Sequence, residues 1–338
     1  LGDPRRHHYV AQVYQKRFAN EHGLLWVYDR ERGTYDERHP KVICREKDLY
    51  AVKPEDAKRD QRLESIVLAQ LDGDCATGIR SLVYPLTGLP GHYASSLVAF
   101  FVGLQYSRIP SMREYVSKLY ERGITEMMRL TSVNEARMQS AIDHYEEDTG
   151  NKIDVSAKTM IEAIRRGGIR LVITETPFLR YIFDIAKKIA DDIIGASWEV
   201  LRAPADAGFI LCDAPVTVVP VRGTRQVGFH VPGTVTYIPL ARGHCLRVTR
   251  PYCRLRYRTV DLQMVELINQ NIAANSDRFI MGPIREELQT VVGRSGCLTP
   301  NRIKRATFFE LEKTDDGSFQ GFEMNHRSYF YLPNGRTP

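Results

Sequence analysis

The stretch Leu97–Pro110, LVAFFVGLQYSRIP, constrains this chain more than any other. Leu97 to Leu104 is apolar on every side, the pattern of a helix buried all round rather than of an amphipathic surface helix. Those eight residues fall far short of the run of about 20 that a bilayer requires. The segment is therefore expected to be the central core helix of a soluble domain. Gln105 and Arg108 stand three residues apart and so share a face of its last turn. Pro110 is expected to end the helix, because the residue before a proline avoids helical geometry. A guanidinium at the end of a buried helix cannot be stranded without a large desolvation cost. Arg108 must meet something acidic, or a ligand.

A second helix is expected from about Asp60 to Val83, with Leu63, Ile66, Val67, Gln70, Leu71 and Ala76 along its inner stripe. Asp60 and Glu64 stand four residues apart, which puts both carboxylates on one face. Glu64 sits beside apolar Leu63 and near Val67. Partial burial there would raise its pKa and suit it to proton transfer. The plain reading is that Asp60 complements the positive end of the helix dipole and Glu64 pairs with Arg108.

At the N-terminal end, Val10, Val13, Tyr14 and Phe18 recur at helical spacing, and His7 and His8 precede them. His8 reads either as a proton shuttle or anion-binding corner, or as a structural cap or tag remnant. Leu24–Asp29 and Thr34–Cys44 read as a strand pair turning at Gly33. After the core helix come a long helical region from Ser111 to about Glu147, then helices over Val155–Arg166 and Pro177–Ile194. At Ala196 the texture changes to strands: Ser197–Arg202, Gly208–Cys212, Val235–Leu240 and Cys245–Val248. Asp213 ends one of them. It reads either as a turn residue bonding its own backbone or as a group lining a cleft. Arg247, Arg250, Arg254, Arg256 and Arg258, with Tyr252 and Tyr257 between them, match a track for phosphates and bases. A solvated edge strand reads the same way. Asp261–Ala274 and Glu286–Val292 are expected to be helical. Arg278–Met281 reads as a strand, and the tail as a hairpin.

The expected fold class is α+β. A helix-rich part over 1–195, with an N-terminal hairpin, packs on a mixed sheet with helices over 196–338, and no Ser/Gly-rich connector divides them. The balance of 47 Lys+Arg against 41 Asp+Glu gives a net charge of +6, which permits a polyanionic partner without requiring one. Six cysteines occur without a CxxC pair, which argues against a zinc ribbon, and no metal site is expected. Cys212 and Cys245 lie in apolar runs and read as small buried hydrophobes. With no signal peptide or membrane span visible, a reducing cytoplasm is the expected setting. No GxxxxGK[ST] loop appears, so activation by ATP within this chain is not expected, nor is a cofactor.

Several blocks together resemble one family. They are Arg6–Gln12 with Arg17-Phe18-Ala19, Leu25–Asp29, Glu46–Tyr50, Phe101–Arg108, Phe209–Val216 and Asn269–Ile280. The family is the bacterial and fungal domain-of-unknown-function family numbered 4238, and the resemblance covers about residues 5–283. The fungal arginine-containing cyclodipeptide synthases look like relatives of it. They join two amino acids carried on tRNA, one of them arginine. Their Asp-Asp-x-x-Glu motif is similar to Asp60-Gln61-Arg62-Leu63-Glu64, with Gln61 at the second acidic position. The resemblance implies peptide-bond formation from aminoacyl-tRNA, arginyl-tRNA included. Such a reaction needs a positioned amine, a base and a stabilised oxyanion. Glu64 would take the proton, Asp60 hold an ammonium or guanidinium, and Arg108 orient Glu64 or stabilise charge; His8, as a proton shuttle, completes the expected catalytic set. Gln105, Asp213 and Tyr9 form the expected substrate-binding set, and Arg247, Arg250, Arg254 and Arg256 the tRNA-docking set. The residues also fit a nuclease using Asp60, Glu64 and Asp213, in phage defence for instance, or a non-catalytic RNA-binding module.

Overall fold

The computed structural model describes residues 6–47, 49, 68–85, 91–166, 175–220, 228–250, 255–294, 309–313 and 319–323. Asp60, Glu64 and Arg254 lie outside the described residues.

Helices dominate the first part of the chain and strands the second, so the fold is α+β. In order come β1 (Arg6–His8), α1 (Gln12–Gln15), β2 (Leu25–Asp29), β3 (Thr34–Arg38), β4 (Arg45–Lys47), α2 (Ala69–Val83) and α3 (His92–Ser107). Next are α4 (Pro110–Thr131), α5 (Glu135–Thr149), α6 (Ala157–Arg165) and α7 (Glu175–Ile194). The strand-rich part holds β5 (Ser197–Arg202), β6 (Leu211–Cys212), β7 (Thr217–Pro220), β8 (Thr234–Ala241), β9 (His244–Thr249) and β10 (Leu255–Thr259). The helix α8 (Leu262–Asn275), β11 (Phe279–Gly282), α9 (Arg285–Arg294) and the hairpin β12 (Phe309–Lys313) with β13 (Phe319–Glu323) complete it.

Chain contacts define two units, Leu1–Arg113 with Leu179–Pro338, and Glu114–Phe178. The first unit holds a five-stranded sheet in the order β10-β5-β9-β8-β7, with β10 parallel to β5 and the other pairs antiparallel. A second, antiparallel sheet runs β3-β2-β11-β6, and β1 pairs with β4. The second unit closes its own small core with Met138 and Ile142 of α5 against Ala157 and Ile161 of α6.

The core helix is α3. Val98, Ala99, Phe101, Val102, Leu104 and Gln105 are all buried. It ends at Ser107, and Pro110 opens α4 instead of merely stopping α3, since a first-turn proline loses no needed N–H. Tyr14 of α1 ties this helix to the large sheet. Its ring meets Phe101 edge-on at 4.9 Å, and its hydroxyl donates to the carbonyl of Pro239 on β8. The buried face of α2 runs through Cys75, Ile79 and Leu82, while Gln70 is exposed, so its stripe is rotated from the one expected.

Two further differences have local causes. The strand expected over Thr34–Cys44 stops at Arg38, because Pro40 starts a short 3-10 turn over Pro40–Val42. The helical region after Ser111 breaks at Ser132–Asn134. There Asn134 caps α5 by accepting the Arg137 N–H at 2.8 Å.

Candidate functional site

The site is organised by the β1–β4 ribbon, which places His7 opposite Glu46 and His8 opposite Arg45. Alternation along a strand sends neighbouring side chains to opposite faces. His7 and His8 therefore face opposite ways, and Tyr9, the residue just past the strand, meets surroundings different from those of His8.

On one side stands the end of α3. Arg108 is fully buried, and its Nη1 donates to both carboxylate oxygens of Asp72 on α2, at 3.0 and 3.3 Å. Gln105 is oriented with its amide oxygen toward the guanidinium, accepting from Nε at 2.9 Å and also from Nη2. The shared face expected for Gln105 and Arg108 is thus real, and among the described residues Asp72 is an acid that meets Arg108; the expected pairing with Glu64 falls outside them. The Asp72 side chain keeps 18% of its surface exposed while Arg108 keeps 1%, so the pair presents its carboxylate end outward. His8 lies within electrostatic reach. Burial pushes its pKa below the ordinary histidine value, and the charges of Arg45 and Arg108 push the same way, against hydrogen bonding to the backbone of Pro40 and Lys41. The shift favours the neutral imidazole, the form that can accept a proton. Nearby Cys75 has its thiol pushed up to about 12 by burial and the Asp72 charge, and is inert.

On the other side Tyr9 and Asp213 come together. Burial raises the Tyr9 phenol well above its ordinary value, helped by Cys44, Asp213 and Glu46. Asp213 is buried just past β6, and its carboxylate reaches the backbone that leads into β11. One oxygen accepts the Asp277 N–H at 2.8 Å, and the other accepts those of Arg278 at 2.7 Å and Phe279 at 3.0 Å. Three successive N–H groups on one carboxylate fix the entry into β11. The same corner is clamped twice more. Arg278 grips Asp29 of β2 through two bonds, at 3.0 and 2.8 Å, and Arg30 reaches the carbonyl and hydroxyl of Ser276. Arg278 holds the Asp29 carboxyl below its ordinary value in spite of the burial that raises it.

The arginine-dense stretch divides. Arg247 on β9 pairs with Glu199 of β5. Arg250 donates to the Asp192 carbonyl at 2.7 Å and to the Phe229 carbonyl at 3.3 Å. Arg256 and Arg258 project from β10, an edge of the large sheet, and are exposed. Of the expected site residues, then, His8, Gln105 and Arg108 form one group and Tyr9 and Asp213 another. Asp72, Glu46 and Cys44 went unforeseen. Asp72 carries a readable signal, since it stands in a helix beside the core helix. Glu46 is half-buried opposite His7, and burial raises its carboxyl against the Arg113 charge.

No group of three or more His, Cys, Asp or Glu that could hold a metal ion occurs among the described residues. Nor is any described helix long and apolar enough to cross a membrane.

An α+β chain with a buried polar helix end against an N-terminal ribbon is the class that these features define. Residues 6–286 match the family model described as protein of unknown function (DUF4238), and the chain belongs to that family. No curated protein and no solved structure matches it.

Proposed function

We propose that this protein forms a peptide bond by aminoacyl transfer from aminoacyl-tRNA, in the manner of the cyclodipeptide synthases that its Asp60–Glu64 segment resembles. The observation that carries the reading is the Arg108–Asp72 pair at the end of α3, buried on the guanidinium side and part-exposed on the carboxylate side, with His8 within electrostatic reach of Arg108. An aminoacyl ester is already activated, so the protein must deprotonate an amine and position it; it need not supply chemical energy. Asp72, braced by Arg108 and partly exposed, suits an ammonium group. Arg108 itself is too deeply buried to touch substrate and acts as a positioning residue. His8, whose shift favours the unprotonated ring, is a candidate acceptor for the proton that leaves the attacking amine. Glu64, four residues ahead of Leu68 in the chain, is the second candidate base.

The test is mass spectrometry of the products formed by the purified protein with a pool of aminoacyl-tRNAs, and of the medium after expression. A dipeptide or cyclic dipeptide is expected from the wild type, and at least tenfold less from Glu64→Gln and Asp72→Asn. Absence of any peptide product with every aminoacyl-tRNA supplied overturns the proposal.

A further inference from the structure

The ends of α2, β5 and β9 meet Arg17 and Tyr257 at a basic, aromatic surface that shares only Tyr257 with the Arg247–Arg258 stretch. Tyr84 closes α2 and is 64% exposed. Its ring meets that of His244, the first residue of β9, at 6.2 Å with the planes 63° apart. His244 stands opposite Arg202, the last residue of β5. Arg202 lies over the ring of Tyr257 at 4.9 Å from its centroid, and Tyr257 is anchored through its hydroxyl to the Leu82 carbonyl at 3.0 Å. Arg17 enters from the N-terminal segment, its Nε on the Leu240 carbonyl at 2.9 Å.

These cations repel one another. Arg17 is disfavoured first by burial and also by the charge of Arg80 on α2. His244 is held below its ordinary pKa by burial and by the charges of Arg202 and Arg17. Among the described residues no carboxylate forms an ion pair with Arg17, Arg80 or Arg202. Contrast Arg242, Arg247 and Arg250 in the same unit, each matched to an acid. A set of crowded guanidinium groups beside an exposed aromatic ring has the composition that receives phosphates and stacks a base.

We infer that Arg17, Arg80, Arg202, Tyr84 and His244 form a seat for a single-stranded stretch of RNA, with phosphates on the guanidinium groups and a base against Tyr84. The choice of RNA among polyanions rests on the aminoacyl-tRNA reading, which this inference deepens. The geometry suits that reading. Arg80 and Asp72 share α2, and at 1.5 Å of rise per residue they stand about 12 Å apart along its axis. An RNA end held at the seat would deliver its terminal group toward the Asp72–Arg108 pair.

Fluorescence anisotropy with a short, uncharged single-stranded RNA ending in CCA tests the seat, with duplex RNA of equal charge as control. Single-strand binding by the wild type is expected. Tyr84→Ala should weaken it about tenfold, in line with the loss of one stacked base. Arg80→Ala and Arg202→Ala should each weaken it and lower the salt slope by about 0.7. All three side chains are exposed, so an unchanged melting temperature confirms that the variants fold. Lack of binding by the wild type, or wild-type affinity in Tyr84→Ala and Arg202→Ala, overturns the seat. Equal binding of duplex and single strand with no effect of Tyr84→Ala overturns it too. RNA held through these residues without peptide formation would instead sink only the transfer reading. Peptide formation with RNA binding unmoved by these variants would sink only the seat.

Discussion

Gly103 of α3 lies so close to Ala186 of α7 that a Cβ on the glycine would stand 2.2 Å from the Ala186 carbonyl oxygen. One turn further along, the Ser107 hydroxyl donates to the Ile182 carbonyl at 3.0 Å. The two contacts step in opposite directions along the two helices, so α3 and α7 pack antiparallel, backbone almost on backbone. No rotamer relieves a clash made by Cβ itself, so the helices would have to separate. Gly103→Ala is therefore expected to cost about 3 kcal/mol, at the upper end for overpacking. Urea unfolding checks this, and a loss below about 1 kcal/mol would show that the helices part easily.

Arg108 sits at the foot of the same contact, and its removal leaves buried Gln105 and the Asp72 carboxylate without their partner. Breaking one side of a buried pair costs about 3–5 kcal/mol, whereas an exposed arginine is worth within about 0.5 kcal/mol. Arg108→Ala should therefore lose far more stability than Arg256→Ala, which removes an exposed side chain from an edge strand. Equal, small losses in thermal denaturation would count against this account.

The same residue shows how far the sequence could be read. An all-round apolar run ending in Gln105 and Arg108 demanded a buried helix and either an acidic partner or a ligand, and both demands follow from local pattern and desolvation cost. Which acid answers is a tertiary fact, because Asp72 reaches Arg108 from another helix. Asp213 is the sharper case. As a strand-end aspartate it read as a turn residue or a cleft residue. Its carboxylate instead fixes the backbone at Asp277–Phe279, which only the packing of β6 beside β11 makes possible. The break before α5 was legible in principle, since Asn134 is a strong cap, but a run of charged helix formers on either side masked it.

Asp213 gives a pH signature. Burial and the Asp277 carboxylate push its pKa up to about 7 from 3.8, against the three N–H donors. Between about pH 4 and 7 the folded chain keeps a proton that the unfolded chain has lost. This group's contribution to stability therefore falls as the pH rises through that window. His8 and His244, both held below the ordinary 6.5, act oppositely, because stability is lost as protons are taken up by the unfolded chain on acidification. The stability difference between wild type and Asp213→Asn, followed by urea unfolding across the window, is expected to shrink as the pH rises. A difference that grows instead would mean that the three N–H groups outweigh burial.

Cys44 carries the last prediction. It is the one non-glycine residue among those described with a positive φ, at 53°, and it stands two residues past the Pro40–Val42 turn, just before β4. Its backbone is fixed from both sides, since its carbonyl accepts the Tyr9 N–H at 3.0 Å and its sulfur rests 3.8 Å from that of Met281. The left-handed conformation is costly for any residue with a Cβ and free for glycine. At an ordinary buried position glycine is the worse replacement by about 0.5–1 kcal/mol relative to alanine. Here both replacements lose the same thiol contacts, but only glycine relieves the backbone. Cys44→Gly is therefore expected to be at least as stable as Cys44→Ala in urea unfolding. A clear advantage for alanine would show that the turn relaxes to negative φ once the sulfur is gone.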